Sequence, residues 1–219
     1  TPHAIYLKDY APPAWLIDTV DLHVAIHDGH AEVRARLACR RNPAATDKNS
    51  GGDLVLNGEE LALQEVGVGG TALAPSRYTL ADDSLTIRGV DGAPLPDNFT
   101  LETLVRIEPD GNTQLSGLYK SKDGYFTQCE AQGFRRISFF PDRPDVMARF
   151  NCTIEADRER FPQLLSNGNL VVQGKGENRH WAHWEDPFAK PAYLFALVAA
   201  KLDVLEDEFL TRSGRRVRC

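Results

Sequence analysis

The densest collection of reactive side chains in the sequence is the run Tyr125-Phe126-Thr127-Gln128-Cys129-Glu130-Ala131-Gln132-Gly133-Phe134-Arg135-Arg136. A carboxylate such as Glu130 suits an ammonium group, which has three donors and no acceptor. It equally suits a guanidinium, and Arg135 and Arg136 lie close by, so on local grounds an ordinary surface ion pair competes with ligand binding. On an extended segment Cys129 points away from Gln128 and Glu130, which makes it a packed, unreactive thiol. Histidines form the second collection. His180 and His183 are three residues apart in a segment that reads as a strand, where they face opposite sides and share no metal. His23, His27 and His30 surround a turn at Asp28-Gly29 and read as surface residues. No Ser sits in a G-x-S-x-G elbow, no Gly-rich loop opens a helix, and no H-E-x-x-H string occurs between Thr1 and Cys219. No catalytic residue and no metal ligand are therefore assigned within this chain.

The elements that position these groups read almost entirely as β-structure. Val20, Leu22, Val24 and Ile26 alternate with polar or small residues, Asp28-Gly29 interrupts, and Ala31, Val33, Ala35, Leu37 and Cys39 resume the alternation. Period two on both sides of an Asp-Gly pair predicts a β-hairpin with one wet face. Further strands are predicted at 54–56, 61–68, 85–87, 99–107, 152–156, 170–173 and 180–184. Turn signals at Asn57-Gly58, Gly69-Gly70, Asp91-Gly92 and Asp110-Gly111 separate several of them. The apolar stretch from Tyr193 to Leu202 fits a buried strand or a helix equally well. One short helix is predicted from about Pro144 to Arg149, capped by Asp142. After Ser213-Gly214 the chain enters Arg215-Arg216-Val217-Arg218 as if starting a strand without a partner, which suggests a domain cut from a longer polypeptide. The expected fold is mainly β: one domain over residues 1–219, a large antiparallel saddle or sandwich with one short helix. Phe134, Phe139 and Phe140 are assigned to its core or interface, and Trp181 and Trp184 to packing.

Composition narrows the function. The 219 residues are 42% hydrophobic and 26% charged, enough for a real core without metal or disulfide staples. A net charge of −6 argues against nucleic acid, whose phosphates call for clustered Lys and Arg. The basic run from Arg212 to Arg218 reads as a solvated turn. Cys39, Cys129, Cys152 and Cys219 are scattered without a C-x-x-C pair, as expected of reduced thiols in a cytoplasmic protein. The longest apolar run, 192–200, falls well short of the ~20 residues a membrane-spanning helix needs. No secretory leader is visible, and the sequons at Asn98 and Asn151 read as chance matches. On these grounds alone the chain is a soluble β domain of undefined purpose.

The Gln128–Arg136 run, with Gly117-Leu118-Tyr119 before it and Phe140-Pro141-Asp142-Arg143-Pro144 after it, resembles the amino-terminal domain of the aminopeptidase N family of gluzincin zinc metallopeptidases. The string Gln-Cys-Glu-Ala-x-Gly-Phe-Arg is most similar to the bacterial alanyl-aminopeptidase branch. The resemblance extends from Tyr10-Ala11-Pro12-Pro13 through Leu56-Asn57-Gly58-Glu59, Leu165-Ser166-Asn167-Gly168 and Asp186-Pro187-Phe188 to Thr211-Arg212-Ser213-Gly214. It implies a β saddle packed against a thermolysin-like catalytic domain of the same polypeptide, which supplies H-E-x-x-H, a distal Glu ligand and a G-x-M-E-N segment. It also implies substrate-binding roles for two residues here. Glu130 would hold the free α-amino group of a peptide substrate, and Gln128 would line the pocket for its first side chain. Zinc would belong to the full-length enzyme, with none bound by this chain, and the isolated chain would not hydrolyse alanyl amides. The rival readings are a non-catalytic β-sandwich module for binding or scaffolding and an inactive relative.

Overall fold

The computed structural model describes residues 6–45, 52–89 and 94–219. Its strands are β1 (Trp15–Ile26), β2 (Ala31–Arg41), β3 (Leu54–Asn57), β4 (Ala62–Val68), β5 (Thr71–Ala72), β6 (Tyr78–Leu80), β7 (Ser84–Ile87), β8 (Asn98–Ile107) and β9 (Gly117–Ser121). They continue with β10 (Gly124–Gln128), β11 (Met147–Asp157), β12 (Gln163–Ser166), β13 (Asn169–Lys175), β14 (Arg179–Pro191), β15 (Leu197–Ala200), β16 (Glu208–Leu210) and β17 (Arg216–Arg218). Eight form one sheet in the order β13-β14-β11-β1-β2-β8-β4-β5. A four-stranded sheet, β12-β15-β10-β9, a three-stranded sheet, β3-β7-β6, and the β16-β17 hairpin complete the fold. The mainly β, largely antiparallel architecture expected from the alternation is what forms.

The β1–β2 hairpin follows its pattern closely. Val20, Val24, Ile26, Ala31, Val33, Ala35 and Leu37 are buried, and Gly29 supplies the turn at φ 76. Gly69 and Gly70 both take positive φ between β4 and β5, as a tight two-residue hairpin turn requires. The expected turn at Asp91-Gly92 lies outside the described residues. Between Tyr193 and Leu202 the chain makes a single 3-10 turn, Ala192–Leu194, and then β15.

Two expectations are corrected. The helix from Pro144 to Arg149 does not form; β11 begins at Met147 instead. Val146, Ala148, Phe150, Cys152, Ile154 and Ala156 are all buried, so period-two burial next to the centre of the large sheet outweighs a local helix-start signal. Asp142 spends its carboxylate on Arg135 rather than on a cap. Among the described residues helix is confined to three-residue 3-10 turns. The segment after Ser213-Gly214 is not without a partner either, since β17 pairs with β16, Phe209 opposite Val217. The sheet also holds a parallel pair that local pattern did not foretell, with Val20 opposite Phe150 and Leu22 opposite Cys152 between β1 and β11.

A contiguous core runs between the sheets. Near its centre Phe134 meets Phe140, Phe150 and Phe195 edge-on, at centroid distances of 5.2, 5.6 and 5.3 Å. Such edge-to-face pairs add ~0.5–1.5 kcal/mol beyond area burial. Phe139 and Phe140 are likewise fully buried, and the Trp184 Nε1–H donates to the Leu164 carbonyl at 3.0 Å.

All four cysteines are free. Cys39, Cys129 and Cys152 are buried, and burial pushes each thiol up to about 12, whereas Cys219 is exposed. Because the thiolate is the reactive form, a disulfide reagent at mildly alkaline pH is expected to modify one thiol rapidly in the folded chain and four after denaturation. Two or more fast thiols in the native protein would contradict the packing.

Acid stability follows from the carboxylates. Hydrogen bonds from Arg143, at 2.8 and 2.7 Å, hold Asp145 below the ordinary 3.8, and the Arg160 backbone N–H does the same for Asp157. In Asp110, Glu155 and Asp186 burial pushes upward, but bonds from Lys120, Arg179 and Lys190 win and the net direction is down. A depressed folded pKa gives stability that is complete above the ordinary value and lost as pH falls through the folded one. Among the described carboxylates with a clear shift, Asp142 alone has the opposite sign, because burial raises it. The unfolding temperature is therefore expected to fall as pH drops below about 4. A level profile down to strong acid would show that these contacts do not persist in solution.

Candidate functional site

The β9–β10 hairpin delivers the Gln128–Arg136 run to one end of the four-stranded sheet. Gln128 lies opposite Gly117 and Thr127 opposite Leu118, while the other edge of β10 pairs with β15 through Tyr125 and Phe126. The Tyr125 hydroxyl donates to Asp110 at 2.6 Å, and the Thr127 hydroxyl accepts the Leu197 N–H at 2.8 Å. The strand is thus fixed on both sides up to the residue where the candidate site begins.

Beyond Gln128 the chain turns sharply. The Gly133 N–H donates to the Cys129 carbonyl at 2.7 Å, and Phe134–Arg136 form a 3-10 turn whose Phe134 ring is the core anchor described above. The Glu130–Ala131 peptide is cis. Two glycines are demanded by space. A Cβ on Gly133 would lie 2.3 Å from the Gln128 carbonyl oxygen and 2.9 Å from the Cys129 Cα. One on Gly117, at φ 75, would lie 2.7 Å from the Arg136 Cβ. Within this turn Cys129 points into the core at 2% exposure, and Gln128 and Glu130 are exposed. Cys129 faces inward and its neighbours outward as expected, but the strand ends at Gln128 and the turn, not an extended run, places Glu130.

The two arginines do not pair with Glu130. Arg135 donates from its backbone N and its Nε to Asp142 Oδ2 at 3.2 and 3.1 Å, and from Nη2 to the Asp142 carbonyl at 3.2 Å. Its Nη1 lies 3.7 Å from Glu59. Arg136, 8% exposed, reaches Glu59 at 3.3 Å and also pairs with Glu60. The Glu130 carboxylate makes no ion pair or hydrogen bond among the described residues. Gln128 is partly engaged, its Nε2 donating to the Glu130 carbonyl at 3.2 Å. It braces the turn while its side-chain oxygen stays available as an acceptor.

Glu59, Glu60, Asn57 and Asp142 form the frame behind the turn, and none was singled out as a site residue from sequence. Leu56-Asn57-Gly58-Glu59 and Phe140-Pro141-Asp142-Arg143-Pro144 carry the resemblance without a site role, and in the sequence Asp142 reads only as a helix cap. Asn57 exchanges backbone hydrogen bonds with Phe140 at 2.9 and 3.1 Å and accepts the Asp142 N–H through its side chain at 3.1 Å.

The histidines are committed elsewhere. His180 Nε2 lies 2.8 Å from the Phe161 carbonyl, His183 Nδ1 lies 2.8 Å from the Thr153 hydroxyl, and His23 sits 3.5 Å from Glu155. His27 and His30 stack at 4.9 Å. The described residues contain no group of three or more His, Cys, Asp or Glu side chains arranged to hold a metal. Clefts of 560 Å³ beside Gly58–Ala62, 490 Å³ along Pro12–Trp15 and 450 Å³ around Thr103 are lined by neither Gln128 nor Glu130. Glu130 is exposed at the turn.

The described residues form a mainly β chain of several sheets, with an exposed carboxylate on the turn that follows β10. The profile of the Peptidase M1 N-terminal domain matches residues 20–194, and the chain belongs to that family. It is 48% identical over 218 residues to aminopeptidase N of Caulobacter vibrioides and 45% identical over 217 residues to that of Escherichia coli. Each alignment covers 99% of this chain and 24% of the relative. The chain thus spans about a quarter of the length of these relatives. The crystal structure of Legionella pneumophila aminopeptidase A in complex with aspartic acid superposes with a TM-score of 0.88 at 34% identity, covering 97% of this chain and 24% of that one. An M1 zinc metallopeptidase from Deinococcus radiodurans shares the fold, with a TM-score of 0.76 at 12% identity over 95% of this chain and 47% of that one.

Because the atoms a Gly133 Cβ would strike are backbone, Gly133→Ala is expected to destabilise the folded chain by about 1–3 kcal/mol. Urea unfolding reads this directly, and an unchanged midpoint would show that the turn is looser than described.

Proposed function

We propose that this chain is the amino-terminal recognition domain of a zinc aminopeptidase that removes single residues from peptide amino termini. Glu130 anchors the substrate α-ammonium, and Gln128 lines the pocket for the first side chain. The observation that carries the reading is the state of Glu130: exposed, on a turn fixed by core packing and two obligatory glycines, and left without a counter-charge although two arginines follow it within six residues of sequence. Such a carboxylate is poised for a cation. Holding the amine fixes how far the scissile carbonyl extends, so a hydrolytic centre placed at that distance removes one residue and excludes internal peptide bonds.

The rest of the reading follows from what the described residues do not supply. The hydrolytic centre, with its zinc and H-E-x-x-H helix, belongs to the catalytic domain of the same polypeptide, which closes over the open surface around Glu130. When bound there, zinc supplies Lewis-acid polarisation and an activated water. The residues of this chain bind and orient the substrate. A cytoplasmic location is part of the reading, supported by the free, buried thiols. No helix among the described residues is long and apolar enough to cross a membrane.

The test is Glu130→Ala in the parent polypeptide, assayed on an alanyl amide. Losing a charge-assisted contact of about 2–3 kcal/mol is expected to lower kcat/KM roughly 30- to 150-fold. Part of the loss should appear as raised KM, because the amine is charged in the ground state too. Glu130→Gln should lose somewhat less, since its carbonyl still accepts a hydrogen bond. Wild-type kcat/KM in Glu130→Ala, with zinc content intact, would return Glu130 to an ordinary surface carboxylate and favour a binding or scaffolding module.

A further inference from the structure

We infer that Glu59, assisted by Glu60, is a positioning residue for amine recognition: it holds Arg135 and Arg136 behind the turn and so keeps Glu130 free for a cation. The inference rests on the reading of Glu130 as the amine anchor. Its motive is electrostatic. Two guanidinium groups follow an exposed carboxylate within a few residues, and pairing among them would be the ordinary outcome of a charge-assisted hydrogen bond. Instead one carboxylate spans both. Glu59 Oε2 lies 3.3 Å from Arg136 Nη1, and Glu59 Oε1 lies 3.7 Å from Arg135 Nη1. Glu60 takes Nη2 of Arg136, and Asp142 takes Nε and the backbone N–H of Arg135. Two cations thus face three anions without Glu130, so nothing in the frame calls on its charge.

Further observations show that the arrangement is built. The Glu59 N–H donates to the Arg135 carbonyl at 3.0 Å, which ties the acidic segment to the backbone of the turn. Glu60 occupies the left-handed region at φ 55, a conformation uncommon outside glycine, asparagine and aspartate. Arg136 Nε is buried without an acceptor, so this guanidinium depends on the two glutamates for its hydrogen bonds. Remove the Glu59 charge, and Arg136 loses one of its two anionic partners while an unpaired one stands exposed on the same turn.

The experiment uses the parent polypeptide with an alanyl amide as substrate. Glu59→Gln keeps the shape and removes the charge. It is expected to raise KM about 3- to 10-fold while kcat moves less than about twofold, because competition for Glu130 acts on amine binding. Glu59→Asp, which restores the charge on a shorter arm, should recover part of the loss. In a Glu130→Gln background the Glu59→Gln change should have little further effect, since its path runs through Glu130. Glu60→Gln, at a more exposed position, should show the same pattern more weakly and provides the reading if Glu59→Gln folds poorly. Unchanged KM in folded Glu59→Gln and Glu60→Gln would overturn the inference. So would a KM effect that persists undiminished in the Glu130→Gln background, which would mark the glutamates as structural only. Failure of the anchor reading looks different, because Glu130→Ala itself would then be silent.

Discussion

The candidate site depends on a buried ion pair, Arg135 with Asp142. The Asp142 carboxylate is 3% exposed, and burial pushes its pKa upward against the bonds Arg135 makes to it. A carboxylate in that position is tolerated only because the donors around it are fixed: the Arg135 backbone N–H and Nε reach one oxygen, and Nη2 reaches the carbonyl of the same residue. Replacing such a pair by apolar groups can be neutral, but removing one partner leaves a buried unpaired charge at a cost of about 3–5 kcal/mol. The pair therefore contributes geometry more than stability. It locks the end of the turn to the segment leading into β11. Asn57, bonded to both Phe140 and Asp142, locks that segment to β3 in the three-stranded sheet.

From that lock the behaviour of the turn follows. Its entry is fixed by the β9–β10 ladder, its exit by Phe134 in the aromatic cluster, and its back by the two glutamates. Gln128 at the end of β10 and Glu130, Ala131 and Gln132 on the turn are left outside, and of these only Glu130 carries a charge. Arg135 and Arg136 are engaged by Glu59, Glu60 and Asp142, which leaves the Glu130 carboxylate without a partner among the described residues. A flexible loop could present the same carboxylate, but each binding event would then have to order it, at a cost of about 0.5–1.5 kcal/mol for the side chain alone.

Much of the scaffold was legible because its signals are local. Alternation from Val20 to Cys39 around Asp28-Gly29, and the glycine pair at 69–70, specify hairpins that need no knowledge of the rest of the chain. The same alternation placed Cys129 inward and its neighbours outward. What failed to be legible is non-local. Asp142 and Pro144 resemble a helix start, but that preference is worth about 1 kcal/mol. Burying Ala148, Phe150, Cys152, Ile154 and Ala156 in a strand is worth several times more. The parallel pairing of β1 with β11 joins segments more than a hundred residues apart, and no local pattern announces it. The partners of Arg135 and Arg136 were hidden for the same reason. Both arginines looked like neighbours of Glu130, yet Glu59 and Glu60 are brought in from the loop after β3.

That last point bears on how a recognition group can be separated from a hydrolytic one. If the amine anchor and the metal lie on different domains, the distance between them is set by the stiffness of each mount as well as by the interface. A mount that shifted by an ångström would blur the count of residues removed, since successive residues of an extended chain are only ~3.3–3.6 Å apart. The turn answers this with steric limits rather than with one strong bond: a Cβ at Gly133 has 2.3 Å to the Gln128 carbonyl, and Gly117 has no room before Arg136. Gln128 joins the same scheme, its Nε2 spent on the Glu130 carbonyl. On this reading the amide that lines the side-chain pocket also braces the amine anchor, so the choice of first residue and the requirement for a free amino terminus are coupled through one side chain.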